Sequence, residues 1–143
     1  MYKLSETLKE LLAERNLNNS TFAVEVGISS SRITDYIKND ELPTVKNLIK
    51  IANYFNCSTD FLLGREYEQQ HGKFNEYIPL DKRLPFLLDY FGISHKEIYE
   101  NDGITKSRYF DWLSGKRKPS LDNIIKLAGI LGCSVDFILG RED

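Results

Sequence analysis

Ser30, Ser31, Arg32, Asp35 and Lys38 lie within nine residues of one another, and Lys106, Ser107, Arg108 and Asp111 recur 76 positions after the first four. Hydroxyl, ammonium and guanidinium groups donate hydrogen bonds to phosphate oxygens and base edges, and a guanidinium can bond in a bidentate manner to O6 and N7 of guanine. An aspartate beside phosphates is repelled unless it accepts from cytosine N4 or is neutralised by a neighbour. Arg32 with Asp35, and Arg108 with Asp111, are spaced i, i+3, so on a helix each aspartate either orients its arginine for a base edge or forms an exposed ion pair of little consequence. Lys116, Arg117 and Lys118 form a three-residue basic run suited to gripping phosphate.

Other chemistry finds little support. His71 and His95 are isolated, and no Ser/His/Asp or Cys/His grouping, catalytic carboxylate pair, phosphate-cradling glycine loop or metal-ligand spacing is present. The expectation is no enzyme, no cofactor, no metal and no evident small-molecule effector. Cys57 and Cys133 occupy equivalent positions in two separate halves and read as small buried hydrophobes at helix junctions. Tyr36, Tyr54, Tyr109 and Trp112 invite a base-stacking reading, but Tyr36 and Trp112 fall on apolar stripes and are expected in the core.

The elements that position these groups come from a duplication. Arg32 to Glu66 and Arg108 to Glu142 align without a gap, matching Asp35 with Asp111, Pro43 with Pro119, Asn47 with Asn123 and Cys57 with Cys133. We read a domain over 1–66, a polar linker over 67–77 and a second domain over 78–143. Each is near the lower size limit for a self-sufficient core, so each must be compact and helix-rich. Aromatic Tyr67, Phe74 and Tyr77 argue for docking of that linker on a neighbouring domain.

Leu4, Leu8, Leu11 and Leu12 mark one face of a first helix. Asn18 to Val26, ending at Gly27, makes a short second one. Ser29 caps a third with Ile33, Tyr36 and Ile37 inward, Thr44 a fourth, and Ser58 a fifth closed by Gly64. The second half repeats the order: Ser94 with Glu97 as a capping box, Gly103 ending helix two, then Thr105, Ser120 and Ser134 as caps. Pro85 should delay the second half's first helix to near Leu84. The class is all-α, with no strand alternation.

The net charge is −2, and residues 1–66 carry 8 basic and 9 acidic side chains against 10 and 11 in 76–143. Any phosphate-binding surface must therefore be local. No run suggests a membrane span, the first residues lack a signal-peptide core, and the expected location is cytoplasmic.

A short helix, a Gly-containing turn and a helix with a polar outer face make the helix-turn-helix pattern. Phe22-Ala23, Gly27-Ile28-Ser29, Ile33 with Tyr36, Pro43, Leu48 to Phe55 and Ser58 to Gly64 resemble the Cro and lambda-repressor class, often called the XRE family. The likeness covers nearly the whole chain twice, with Trp112, Ser114 to Pro119 and Ser134 to Asp136 typical in the second copy.

This resemblance implies two tandem five-helix lambda-repressor-like domains in a bacterial, sequence-specific DNA-binding regulator whose partner is double-stranded DNA. It implies that Ser30, Ser31, Arg32, Asp35 and Lys38, with Lys106, Ser107, Arg108 and Asp111, face the groove. Asn19 and His95 begin helix two, where the family often holds phosphate, and Lys116, Arg117 and Lys118 would grip the backbone. The copies depart from the pattern in complementary places. Tyr99 replaces the small residue corresponding to Ala23, whereas Asn39-Asp40-Glu41 stands where the family carries basic residues. The chain would pair as a homodimer or as an intrachain pseudo-dimer. The rival reading is an antitoxin-like interaction module in which one domain has lost DNA binding.

Overall fold

The computed structural model describes residues 3–66, 73–100 and 103–143. Every regular element among them is a helix, and the chain divides into two compact units, Met1–Lys73 and Phe74–Asp143. The first holds α1 (Leu4–Glu14), α2 (Asn19–Val26), α3 (Ser30–Lys38), α4 (Val45–Phe55) and α5 (Thr59–Leu62). The second holds α6 (Leu80–Phe91), α7 (His95–Tyr99), α8 (Lys106–Ser114), α9 (Leu121–Leu131) and α10 (Val135–Ile138).

Side-chain caps set most of the helix starts. The oxygen of Asn18, Ser29, Thr44 or Ser58 accepts from the backbone N–H three residues ahead in the first unit, as do Ser94, Thr105, Ser120 and Ser134 in the second. Each such bond satisfies an orphan donor and contributes about 1 kcal/mol. Apolar stripes then drive packing. Leu8, Phe22, Ile33, Leu48 and Phe55 are fully buried in the first unit, as are Leu84, Ile98, Tyr109 and Ile138 in the second. Tyr36 and Trp112 lie in these cores, and Asn47 Nδ2 donates to the Tyr36 hydroxyl at 2.9 Å, tying α3 to α4.

Two expectations from sequence change. The helix α6 begins at Leu80, not near Leu84, and carries Pro85 in its interior. Proline there removes one hydrogen bond at a cost of about 3 kcal/mol. Burial of Leu80, Leu84 and Leu87 on one face offsets it, and Pro85 itself is exposed. Secondly, α7 stops at Tyr99 with Glu100 as its C-terminal cap, so Gly103, at φ +93°, belongs to the connection and does not end the helix.

The expected linker over 67–77 falls only partly within the described residues. Residues 67–72, with Tyr67 and His71, lie outside the described residues, while Phe74 to Tyr77 belong to the second unit. There the Asn75 N–H donates to the Arg141 carbonyl at 2.8 Å, and the Ile78 N–H donates to that of Leu139 at 2.9 Å. The Phe74 ring covers the Arg141 guanidinium, 4.5 Å from its carbon. This stretch satisfies carbonyls beyond α10 and seals the ion pair beneath, Arg141 with Asp136 at 2.5 Å. The equivalent pair in the first unit, Arg65 with Asp60 at 2.9 Å, leaves its arginine side chain 33% exposed.

Candidate nucleic-acid interface

In each unit the helix-turn-helix pair is α2 with α3, or α7 with α8. Gly27 takes φ +74° at the end of α2, a left-handed conformation that a side chain would strain, and its carbonyl accepts from Lys50 Nζ at 3.2 Å. That bond fixes the turn against α4. Ile33, Tyr36 and Ile37 anchor the back of α3, which leaves Ser30, Ser31, Arg32 and Lys38 exposed and Asp35 half-buried. Asn19 is half-buried at the first position of α2.

On α8, Lys106, Ser107 and Arg108 are exposed and Asp111 half-buried, while Tyr109 and Trp112 form the inner side. His95 is exposed at the first position of α7, and its Nδ1 hydrogen-bonds the Tyr109 hydroxyl at 2.6 Å. Burial pushes the Tyr109 phenol up to about 12, with the nearby Tyr99 adding to the shift. The phenol thus stays protonated, and His95 is tethered to α8. Lys116, Arg117 and Lys118 are all exposed in the turn after α8.

The arginine-to-aspartate arrangement differs from the one expected from i, i+3 spacing. Asp111 pairs with Arg117 and not Arg108: Arg117 Nε lies 3.5 Å from Asp111 Oδ2, and the Arg117 N–H donates to the Asp111 carbonyl at 3.2 Å. Gly115, at φ +79°, reverses the chain so that the basic run folds back on α8. In the first unit Asp35 accepts instead from Asn39 Nδ2 at 3.1 Å, not from Arg32. Its carbonyl takes the N–H of Glu41, the residue 76 positions before Arg117. One backbone turn thus presents a cation beside Asp111 and an anion beside Asp35. The midpoint of the basic run is engaged, whereas Arg32 and Arg108 extend from exposed positions.

Phe110 is the residue the sequence reading passed over. It is 38% exposed and sits among His95, Tyr99 and Tyr109, with ring centres 5.9, 5.8 and 5.3 Å away. An exposed aromatic next to a buried one on a short helix was the available signal. A phenyl is one of the side-chain types that can contact a thymine methyl. Tyr99, which replaces Ala23, fills the α7 to α8 contact with its ring, and Lys106 Nζ lies 5.7 Å from that ring's centre.

A helix-turn-helix family model matches residues 8–62 and again residues 88–138. The chain belongs to this family. Among individual proteins, this helix-turn-helix chain is 26% identical over 100 residues to the HTH-type transcriptional regulator ImmR of Bacillus subtilis, covering 70% of the chain and 76% of ImmR. It is 36% identical over 63 residues to the cryptic phage CTXphi transcriptional repressor RstR of Vibrio cholerae, covering 44% of the chain and 56% of that repressor. A stretch of 44 residues, 31% of the chain, is 48% identical to part of the replication factor C small subunit of Methanocaldococcus jannaschii, of which it spans 2%. The helix-turn-helix chain therefore spans about three quarters of ImmR, little more than half of RstR, and a small fraction of the replication factor subunit.

Proposed function

We propose that the chain is a sequence-specific DNA-binding transcriptional regulator, resembling phage repressors, whose α3 and α8 each enter a major groove. The observation that carries this reading is the pair of helices with locked inner faces and exposed donors: Ser30, Ser31, Arg32 and Lys38 on one, Lys106, Ser107 and Arg108 on the other. Membership of the helix-turn-helix family supports it, as do the regulator and repressor names of ImmR and RstR. Two heads in one chain suit two half-sites about 34–36 Å apart, and covalent linkage raises the effective concentration of the second head once the first has bound. The place of action is the cytoplasm, where such DNA would be met.

The two heads are of unequal strength. The second carries an exposed basic turn, whereas the first carries exposed Asp40 and Glu41 at the same place, which weakens phosphate contact. That acidic turn favours, as a second reading for the first unit alone, a role in holding a partner protein.

Selection of bound duplexes from a random DNA pool tests the proposal with the full chain, an Arg108→Ala chain and an Arg32→Ala chain. Two enriched half-sites are expected, with Arg108→Ala relaxing the stronger one by about 1–3 kcal/mol at one base pair and Arg32→Ala the weaker. A single half-site insensitive to Arg32→Ala would assign the first unit to protein interaction. No enrichment by any chain would remove the DNA-binding reading.

A further inference from the structure

We propose that Tyr109 is a positioning residue for the second unit's contact with DNA: its hydroxyl donates to His95 Nδ1 and so turns the imidazole to present Nε2–H to a backbone phosphate. This rests on the reading of α7 and α8 as a DNA-binding pair and adds to it a residue of the core.

Tyr109 is fully buried on α8, and its hydroxyl lies 2.6 Å from Nδ1 of His95, which is exposed at the start of α7. Such a bond can run in either direction. If Nδ1 carried the hydrogen, the phenol oxygen would accept, and the phenol's own proton would need a second partner. Among the described residues no other group bonds that hydroxyl. The proton stays on the phenol, which burial pushes up to about 12, and a buried O–H without an acceptor is costly. The arrangement that satisfies both groups has the phenol as donor and Nδ1 as acceptor. In a neutral imidazole the hydrogen then sits on Nε2, because the bond made by one ring nitrogen sets the state of the other. The two nitrogens point to different sides of the ring, so Nε2–H is directed away from Tyr109. Phe110 lies against the same imidazole, with ring centres 5.9 Å apart, and limits its rotation.

The first unit shows that the fold does not need this link. Seventy-six positions earlier, His95, Tyr109 and Phe110 correspond to Asn19, Ile33 and Thr34. Ile33 is fully buried without a polar atom, and Thr34 Oγ1 donates to the Ser30 carbonyl of its own helix at 3.0 Å. A phenol in place of isoleucine brings a hydroxyl into the core, which destabilises unless it is bonded. In the second unit exposed His95 takes it up, so the link orders a surface donor. A phosphate oxygen is the acceptor such a donor suits, because it only accepts and its charge strengthens the bond. Positive charge is already present at this cluster: Lys106 Nζ lies 5.7 Å from the centre of the Tyr99 ring, which packs 5.8 Å from Phe110.

Nitrogen NMR of the full chain with isotope-labelled histidines, at about pH 8 where an ordinary imidazole is neutral, reads which ring nitrogen carries the hydrogen. His95→Gln assigns the signals by removing them. Hydrogen on Nε2 alone is expected for His95, with a mixture in Tyr109→Phe. Fluorescence anisotropy then measures affinity for the duplex that the native chain selects. His95→Ala should weaken binding about tenfold or more, and Tyr109→Phe about three- to tenfold. His95→Gln, whose amide can accept from Tyr109 and donate outward, should stay within about threefold of native. In a His95→Ala chain, Tyr109→Phe should cost nothing further, since the two act as a unit. Hydrogen on Nδ1 in the native chain, a mixture that Tyr109→Phe leaves unchanged, or a Tyr109→Phe chain that binds as tightly as native overturns the proposal. If circular dichroism shows Tyr109→Phe to be unfolded, equal affinities of His95→Gln and His95→Ala overturn it. Each of these results leaves the DNA-binding reading standing, whereas selection of no duplex by the native chain removes that reading and this contact together.

Discussion

Replacing Arg141 by methionine should destabilise the second unit far more than Arg65→Met destabilises the first, although the two arginines are repeat equivalents. Asp136 and Arg141 are 0% and 1% exposed in their side chains, whereas Asp60 and Arg65 are 3% and 33% exposed. Removing one partner of a buried pair leaves a carboxylate in a low-dielectric site without its cation, at about 3–5 kcal/mol. Around Asp60, water already reaches the arginine side and can take its place. The loss there should be about 1–2 kcal/mol after allowing for that screening. A unit of this size has a total stability on the order of 3–10 kcal/mol, so Arg141→Met removes much of it. Native-state amide exchange, followed by mass spectrometry on peptides of each unit, separates the two. Arg141→Met should lower protection in α9 by about 10²–10⁴ and leave α4 unchanged, and Arg65→Met should lower α4 by about tenfold. Equal losses for the two substitutions, or α9 protection within tenfold of native after Arg141→Met, would refute the argument from burial.

Neutralising Lys116, Arg117 and Lys118 to Gln should reduce the slope of log affinity against log salt by about 0.9 for each phosphate that is no longer neutralised, measured by titration at several salt concentrations. Arg117, engaged by Asp111, should account for less of that change than Lys116 or Lys118. Phe110→Ser should abolish any preference for thymine over uracil at one position of the selected site, read by competition with uracil-substituted duplexes. The Tyr109 phenol is pushed above its ordinary value to about 12, so the folded state holds that proton more tightly than the unfolded chain. This contribution is full below about pH 10 and lost as pH rises toward about 12, and Tyr109→Phe should remove that alkaline slope from denaturation curves.

Much of the fold could be read in the sequence because helix starts are local. A serine, threonine or asparagine oxygen reaches an N–H three residues away whatever the rest of the chain does, and the caps from Asn18 to Ser134 fall at the expected residues. What escaped depends on contacts between distant residues. The start of α6 is decided by a contest between the backbone cost of Pro85 and the burial of Leu80 and Leu84 by other helices. The partner of Asp111 follows from the reversal at Gly115, which spacing along a helix cannot show. The docking of Phe74 was legible, but its anchor, Arg141, lies 67 residues further on, where no local pattern points to it. Phe110 was hidden for another reason: an aromatic side chain signals burial on average, and only the positions of its neighbours show that it is left uncovered.

In both units the backbone that enters the fold is bonded to the backbone that leaves it. The Lys3 N–H donates to the Leu63 carbonyl at 3.2 Å, and the Ile78 N–H donates to that of Leu139 at 2.9 Å. A body whose entrance and exit touch can be copied head to tail with only a short bridge, because nothing has to be threaded or opened to admit the next copy. The same closeness makes each unit a candidate for being cut at one loop and rejoined at its old ends. A chain rebuilt in that way, beginning for instance at Ser120 and closing through the region of Glu76, would keep α8 and its Thr105 cap while moving the break to the turn before α9.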